Sequence, residues 1–121
     1  MATAPAEPLS RQDLVAKWEP KLSQSITAPC TPNPYSVECL TAVTRLGQLA
    51  DELVADAAAS GFANLELTAR EHAASAQRWN QVCITSQPGT DERSECVVNV
   101  YSDIAFGAES LLAAVYEAAQ S

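Results

Sequence analysis

The chain predicts an all-α fold, an antiparallel (up-down-up-down) four-helix bundle with two disulfide-stapled helix–helix loops. Three observations carry that expectation. Apolar residues recur at i, i+3, i+4 through four stretches, two turn-rich loops are each bracketed by a cysteine pair, and strand signals are weak. The Val97-Val-Asn-Val-Tyr101 run is β-prone, but the helical period continues past it. At 121 residues the chain holds one core. Residues 1–9, with Pro5 and Pro8 and no periodicity, read as a flexible tail, and 10–121 as the helical domain.

Ser10 is placed to cap the first helix, with Asp13 three positions on as a weaker capping-box partner. Leu14, Trp18, Leu22 and Ile26 continue the stripe, Pro20 implies a kink or a restart, and Pro29 ends the helix. Ser36 caps a second helix over 37–60, which Gly61 terminates. Its inward stripe is Leu40, Val43, Gly47, Ala50, Val54 and Ala57, widened by Leu46, Leu49 and Leu53. The third helix opens at the capping box Thr68-Ala-Arg-Glu71, or earlier near Ala63, with Ala69, His72, Ala76, Trp79 and Cys83 inward. The fourth runs from about Glu92 or Cys96 to the C-terminus on Val97, Val100, Tyr101, Ile104, Ala108, Leu111, Leu112, Val115 and Tyr116. Short connections between such helices favour antiparallel neighbours.

The loops are Thr-Pro-Asn-Pro-Tyr-Ser after Cys30 and Ser-Gln-Pro-Gly-Thr-Asp after Cys83, both rich in turn chemistry. Four cysteines allow three connectivities. The local pairing, Cys30 with Cys39 and Cys83 with Cys96, is favoured over pairing across the hairpins. Each such staple removes about 3 kcal/mol of unfolded-state entropy in the chain-entropy account. A zinc site would need closer thiolate spacing, and the sequence has no C-x-x-C. Disulfides in so short a chain point to secretion or the cell envelope. The opening Met-Ala-Thr-Ala-Pro-Ala-Glu-Pro lacks the basic start and apolar run of a signal peptide, and is expected to be the start of a mature exported protein. No apolar stretch reaches transmembrane length, so no membrane insertion is expected.

The formal charge of −8 argues against nucleic acid and against anionic membranes, both of which demand a basic surface. It suits a basic protein partner. Acids concentrate in the second helix, at Asp51, Glu52 and Asp56, and near the start of the fourth, at Asp91, Glu92 and Glu95. In the expected bundle these two helices run parallel from the disulfide end, gathering their first acids beside the loops. Dipole compensation accounts for Glu38, Glu92 and Glu95, but not for Asp51, Glu52 or Asp56. Tyr35 sits at the tip of the first loop, where it is either a contact anchor or a ring folded back on the bundle end.

No catalytic set emerges. Glu52 and Asp56 share a face at i, i+4, read as a solvated surface, and the Glu-x-x-His motifs of di-metal bundles are absent. His72 is the single histidine, with no G-x-S-x-G, H-E-x-x-H or C-x-x-C-H around it. Neither enzymatic activity nor a metal or cofactor is expected. Counting about 1.5 Å per residue puts Gly47, His72 and Gly107 at one depth, with Trp18 near the same layer. Two glycines at one level, each costing about 1 kcal/mol in a helix interior, imply either a bulky ring packed over them or a small ligand pocket. The expected function is that of a small exported binding protein (inhibitor, immunity-type or adaptor) using its stapled end and acidic surface. The alternative is a carrier of a small apolar or planar ligand beside Gly47, His72 and Gly107. The alanine-rich faces also leave room for a homodimer.

The segment Cys30-Thr-Pro-Asn-Pro-Tyr-Ser-Val-Glu-Cys39-Leu resembles the N-terminal cysteine hairpin of plant invertase and pectin methylesterase inhibitors. Those are four-helix bundles that bind and block enzymes, so the resemblance implies that such a scaffold can serve inhibition. It covers about a dozen residues, and the second cysteine pair departs from the family's wider spacing.

Overall fold

The computed structural model describes residues 7–24 and 26–121. The part of the expected tail that covers residues 1–6 lies outside them; Leu9, assigned to that tail, is half-buried on the core and donates its N–H to Ser60 Oγ at 2.8 Å. All regular structure among the described residues is helical.

Helix α1 spans Arg11–Leu22. The Ser10 side chain accepts from the Asp13 N–H at 3.1 Å, satisfying one donor of the open first turn. Leu14, Trp18 and Leu22 are buried. The helix accommodates Pro20 in its last turn and stops at Leu22, well before Pro29, where the Ser23 hydroxyl and N–H both bond the Glu19 carbonyl. Ile26 therefore lies outside α1, half-buried against the core.

Helix α2 spans Val37–Ser60. The Ser36 side chain accepts from Cys39 N–H at 3.0 Å. At the other end Gly61, at φ 78°, turns the chain left-handed, and the Phe62 N–H closes onto the Ala57 carbonyl at 2.9 Å. Glycine adopts that conformation without a Cβ penalty. The buried line is Cys39, Val43, Leu46, Ala50, Leu53 and Ala57, with Leu49 beside it. Leu40, expected inward, is 36% exposed: the buried disulfide fixes Cys39 inward and the three leucines take the centre.

Helix α3, Ala63–Arg78, starts at the earlier of the two expected sites and buries Leu65, Ala69, His72 and Ala76. It continues into a wider π-helical turn, Trp79–Cys83, closed by Ile84 N–H on the Trp79 carbonyl. The expected single fourth helix is broken. Its parts are α4 (Asp91–Glu95), a π-helical turn (Cys96–Val100), α5 (Tyr101–Ala105) and α6 (Gly107–Gln120), with a bend of 58° at Phe106. The break has a packing cause. A Cβ on Gly107 would fall 2.7 Å from Leu46 Cδ2, so α2 seats a leucine against bare backbone where the helix turns. No single helix among the described residues is long and apolar enough to cross a membrane. Helix α2 packs chiefly on α3 and α1 on α6, while α3 also meets α5 and α6.

The α1–α2 seam holds an acid that sequence spacing assigned to the surface. Asp56 is 5% exposed. Its Oδ2 accepts from the Trp18 indole N–H at 2.8 Å and from Lys17 Nζ at 2.8 Å. The ammonium groups of Lys17 and Lys21 also lie over the Trp18 ring, 5.8 and 5.1 Å from its centroid. Asp56 is thus a buried, doubly engaged acceptor and is withdrawn from the expected partner surface. On the α1–α6 seam the Tyr116 hydroxyl donates to Glu19 Oε2. That bond, partial desolvation and the Glu19 charge raise the phenol above its ordinary value.

Two outcomes follow from these seams. Asp56→Ala orphans the indole N–H and is expected to cost about 1–3 kcal/mol in urea unfolding. Lys17→Met keeps the indole bond but removes the counter-charge of the buried carboxylate, and should cost less than Asp56→Ala; equal effects would mean that the ion pair, not the indole bond, matters. In an ultraviolet phenol titration, the ionisation that Tyr116→Phe removes is expected above the usual value of about 10, and Glu19→Gln should lower it. With the folded value raised, this pair's contribution is complete below the unfolded value and is lost as pH rises through the folded one.

Candidate functional site

The two cysteine loops meet at one end of the molecule. In the first, Asn33 organises the turn: its side chain accepts from Tyr35 N–H at 3.0 Å and its carbonyl from Ser36 Oγ at 2.9 Å. Cys30 and Cys39 are disulfide-bonded across nine positions, and Cys83 and Cys96 across thirteen. All four are fully buried. Each cysteine of the second pair sits in a π-helical turn, Cys83 ending one and Cys96 beginning the other.

Tyr35 does not project as a free contact anchor. Its ring folds back and stacks on Trp79, with centroids 5.6 Å apart and planes at 27°, and Trp79 in turn meets Tyr101 at 5.9 Å. The Trp79 indole N–H reaches the Pro34 carbonyl at 3.2 Å. The Arg93 guanidinium lies 3.8 Å from the centroid of Tyr35. Arg93 is itself held by Ser86, donating to both its Oγ and its carbonyl, and Ser86 Oγ donates to the Cys83 carbonyl at 2.6 Å. One aromatic–cation sandwich therefore joins the first loop to both sides of the second. Sequence reasoning placed Trp79 in the core and left Arg93 unused. A lone cation among Asp91, Glu92 and Glu95 was the available signal.

Around this fixed end the surface carries aliphatic groups. Val37, which opens α2, is 75% exposed; Val97 and Val98, directly after Cys96, are 50% and 73% exposed. Asp91 and Glu92 are exposed in the first turn of α4, which Thr90 caps by accepting from Arg93 N–H. Glu95 is exposed and pairs with Arg78 at 3.1 Å. Farther along α2, Glu52 pairs with Lys21 at 3.2 Å, whereas the ion pairs among the described residues do not engage Asp51.

The residues of the glycine layer are engaged in packing and hydrogen bonds, although the buried His72 Nε2 has no hydrogen-bond partner. Gly107 is packed under Leu46, and a Cβ on Gly47 would meet the Ala76 Cβ at 3.3 Å. Trp18 is fully buried and committed to Asp56. The His72 ring, 7% exposed, donates from Nδ1 to the Thr68 carbonyl at 3.0 Å. Counting depth along helices aligned these four residues; in the structure the two glycines serve close helix approach. Gly47 lies instead on the floor of an open groove of about 560 Å³ between α2 and α3. Among the described residues no three His, Cys, Asp or Glu side chains converge as a metal site.

No protein-family model, no curated protein and no solved structure matches this chain.

Joint replacement of Cys83 and Cys96 by serine is expected to lower unfolding free energy by about 3 kcal/mol, read from the urea midpoint. The near-ultraviolet dichroism of Trp79 should weaken as the Tyr35 sandwich loosens. An unchanged midpoint and spectrum would mean that noncovalent contacts alone fix this end.

Proposed function

We propose that this is an exported, non-enzymatic binding protein, an inhibitor, immunity-type protein or adaptor, that seats a basic protein partner on its stapled end. The frame in this proposal is an antiparallel four-helix bundle in which α4 to α6 together serve as the fourth helix. The observation that carries the function is the exposed pair Val97–Val98 on the disulfide-fixed turn, with Asp91 and Glu92 on the same outward segment. Apolar groups left in water at a rigid site gain from being covered, and the neighbouring acids select the sign of what covers them. Two disulfides reduce the ordering cost of association. Both bonds are compatible with an extracellular environment. Of the α2 acids, Asp51 extends this surface. Glu52 contributes less because Lys21 already holds it.

The test uses two substitution pairs, Asp91→Lys with Glu92→Lys and Val97→Ser with Val98→Ser. Each is expected to weaken binding to a basic partner, captured by the wild type from extracellular fluid, by about tenfold, the scale of an interface group worth more than 1 kcal/mol. Affinity should also fall as salt rises. Association indifferent to salt and to both pairs would overturn the proposal.

A further inference from the structure

A groove of about 560 Å³ runs between α2 and α3. One wall is Thr44, Gln48 and Asp51 from α2; the other includes Gln77 from α3 and Asn80 and Gln81 from the π-helical turn that Cys83 closes. It thus begins at the stapled end and leads away from it. Its floor is Gly47, Ala73 and Ala76. The Asn80 NH2 group donates to the Leu40 carbonyl and to Thr44 Oγ1 at 2.8 Å, tying the groove's end to α2, while its Oδ1 is buried without a hydrogen-bond partner. Gln48, Gln77 and Gln81 are exposed.

The lining chemistry discriminates among ligands. A carboxamide carries a donor and an acceptor side by side, as a peptide group does, so three of them along a trough complement main-chain amides. Gly47 and the short side chains of Ala73 and Ala76 keep the floor low enough for a backbone to approach, while Val43 and Val54 add apolar contact. Sugar rings favour aromatic faces, and no aromatic side chain lines the groove. A polyamine needs several carboxylates. Here Asp51 is the only acid in the lining, and the only cation, Arg70, is already held by Glu66 at 2.7 Å. From Thr44 to Val54 the groove follows ten residues of α2, about 15 Å, enough for four or five residues of extended chain at about 3.3 Å each.

We infer that the α2–α3 groove binds an extended peptide segment of the partner, with main-chain amides on Gln48, Gln77 and Gln81 and one lysine or arginine on Asp51. This deepens the proposed binding function and rests on it. The segment enters the groove beside the surface that carries Val37, Val97 and Val98.

The probe is the blocked peptide Ac-Ala-Gly-Ala-Lys-Ala-Gly-NH2, titrated into isotopically labelled protein with its disulfides intact and followed by amide chemical shifts. Shifts are expected at residues 44–54 and 70–81 and not at residues 91–98. Replacing the peptide's lysine by glutamate, or Asp51→Asn in the protein, should weaken binding about two- to fivefold, the size of an exposed ion pair. Joint Gln48→Leu and Gln77→Leu should abolish the groove shifts while the dispersion of the remaining signals shows an intact fold. Val97→Ser with Val98→Ser should leave the peptide titration unchanged, which separates this site from the stapled end. No groove shifts at millimolar peptide, or stronger binding of maltose or spermidine in the same groove, would overturn the inference. That result would leave partner binding through Val97 and Val98 standing.

Discussion

Covalent closure of two loops at the same end is the constraint on which the rest of this structure depends. Each disulfide is worth about 3 kcal/mol in the chain-entropy account, against the 5–15 kcal/mol total typical of a domain. Their geometric effect is as large. Cys39 fixes the rotation of α2, and Cys83 and Cys96 each occupy a π-helical turn, so both helices flanking the second loop are widened at the bond. The Tyr35–Trp79 stack and Arg93 then join the two loops into one body. Without the closure, Pro34 and Tyr35 would be held only by their noncovalent contacts with Trp79 and Arg93.

That rigid end explains how an acidic surface and exposed valines coexist. With a net charge of −8, the chain bears repulsion that grows as acids are crowded together. The fold relieves it selectively. Asp56 is taken inside and given an indole N–H and an ammonium, Glu52 meets Lys21, Glu66 meets Arg70 and Glu95 meets Arg78. The acids outside these pairs include Asp51 and the first-turn residues Asp91 and Glu92, where a helix N-terminus favours negative charge. Part of the charge outside these pairs therefore borders the fixed end and the α2–α3 groove, while Asp13, Glu109 and Glu117 stand on α1 and α6.

How much of this was legible depended on whether the signal was local. Ser10, Ser36 and Gly61 act within three residues of themselves, so the start of α1 and both ends of α2 could be read directly. Cysteine pairing was also local, because each pair spans one loop. Asp56 was misplaced because i, i+4 spacing with Glu52 describes one helix face, whereas its burial is decided by Trp18, 38 positions away. The bend at Phe106 was hidden for the same reason. Gly107 follows a strong apolar period, and only the approach of Leu46 from α2 makes its missing Cβ consequential. Arg93 and Tyr35 lie 58 positions apart, and no helical period connects them.

Gly47, inside α2, and Gly107, the first residue of α6, both stand at close helix contacts. A glycine inside a helix costs about 1 kcal/mol relative to alanine, so its presence needs a compensating contact or a ligand. Here the contacts are visible: Leu46 fills the space over Gly107, and Ala76 stands 3.3 Å from where a Gly47 Cβ would be. Buried Trp18, the ring that could have lined a cavity, instead caps Asp56. Close approach at Gly47 draws α2 and α3 together beneath the surface and leaves an open trough above, lined by the carboxamides of Gln48, Gln77, Asn80 and Gln81 together with Val43, Val54 and three alanines. An enclosed apolar cavity would need a wider seam. Narrowing it at Gly47 and Ala76 leaves an outer groove that continues from the stapled end.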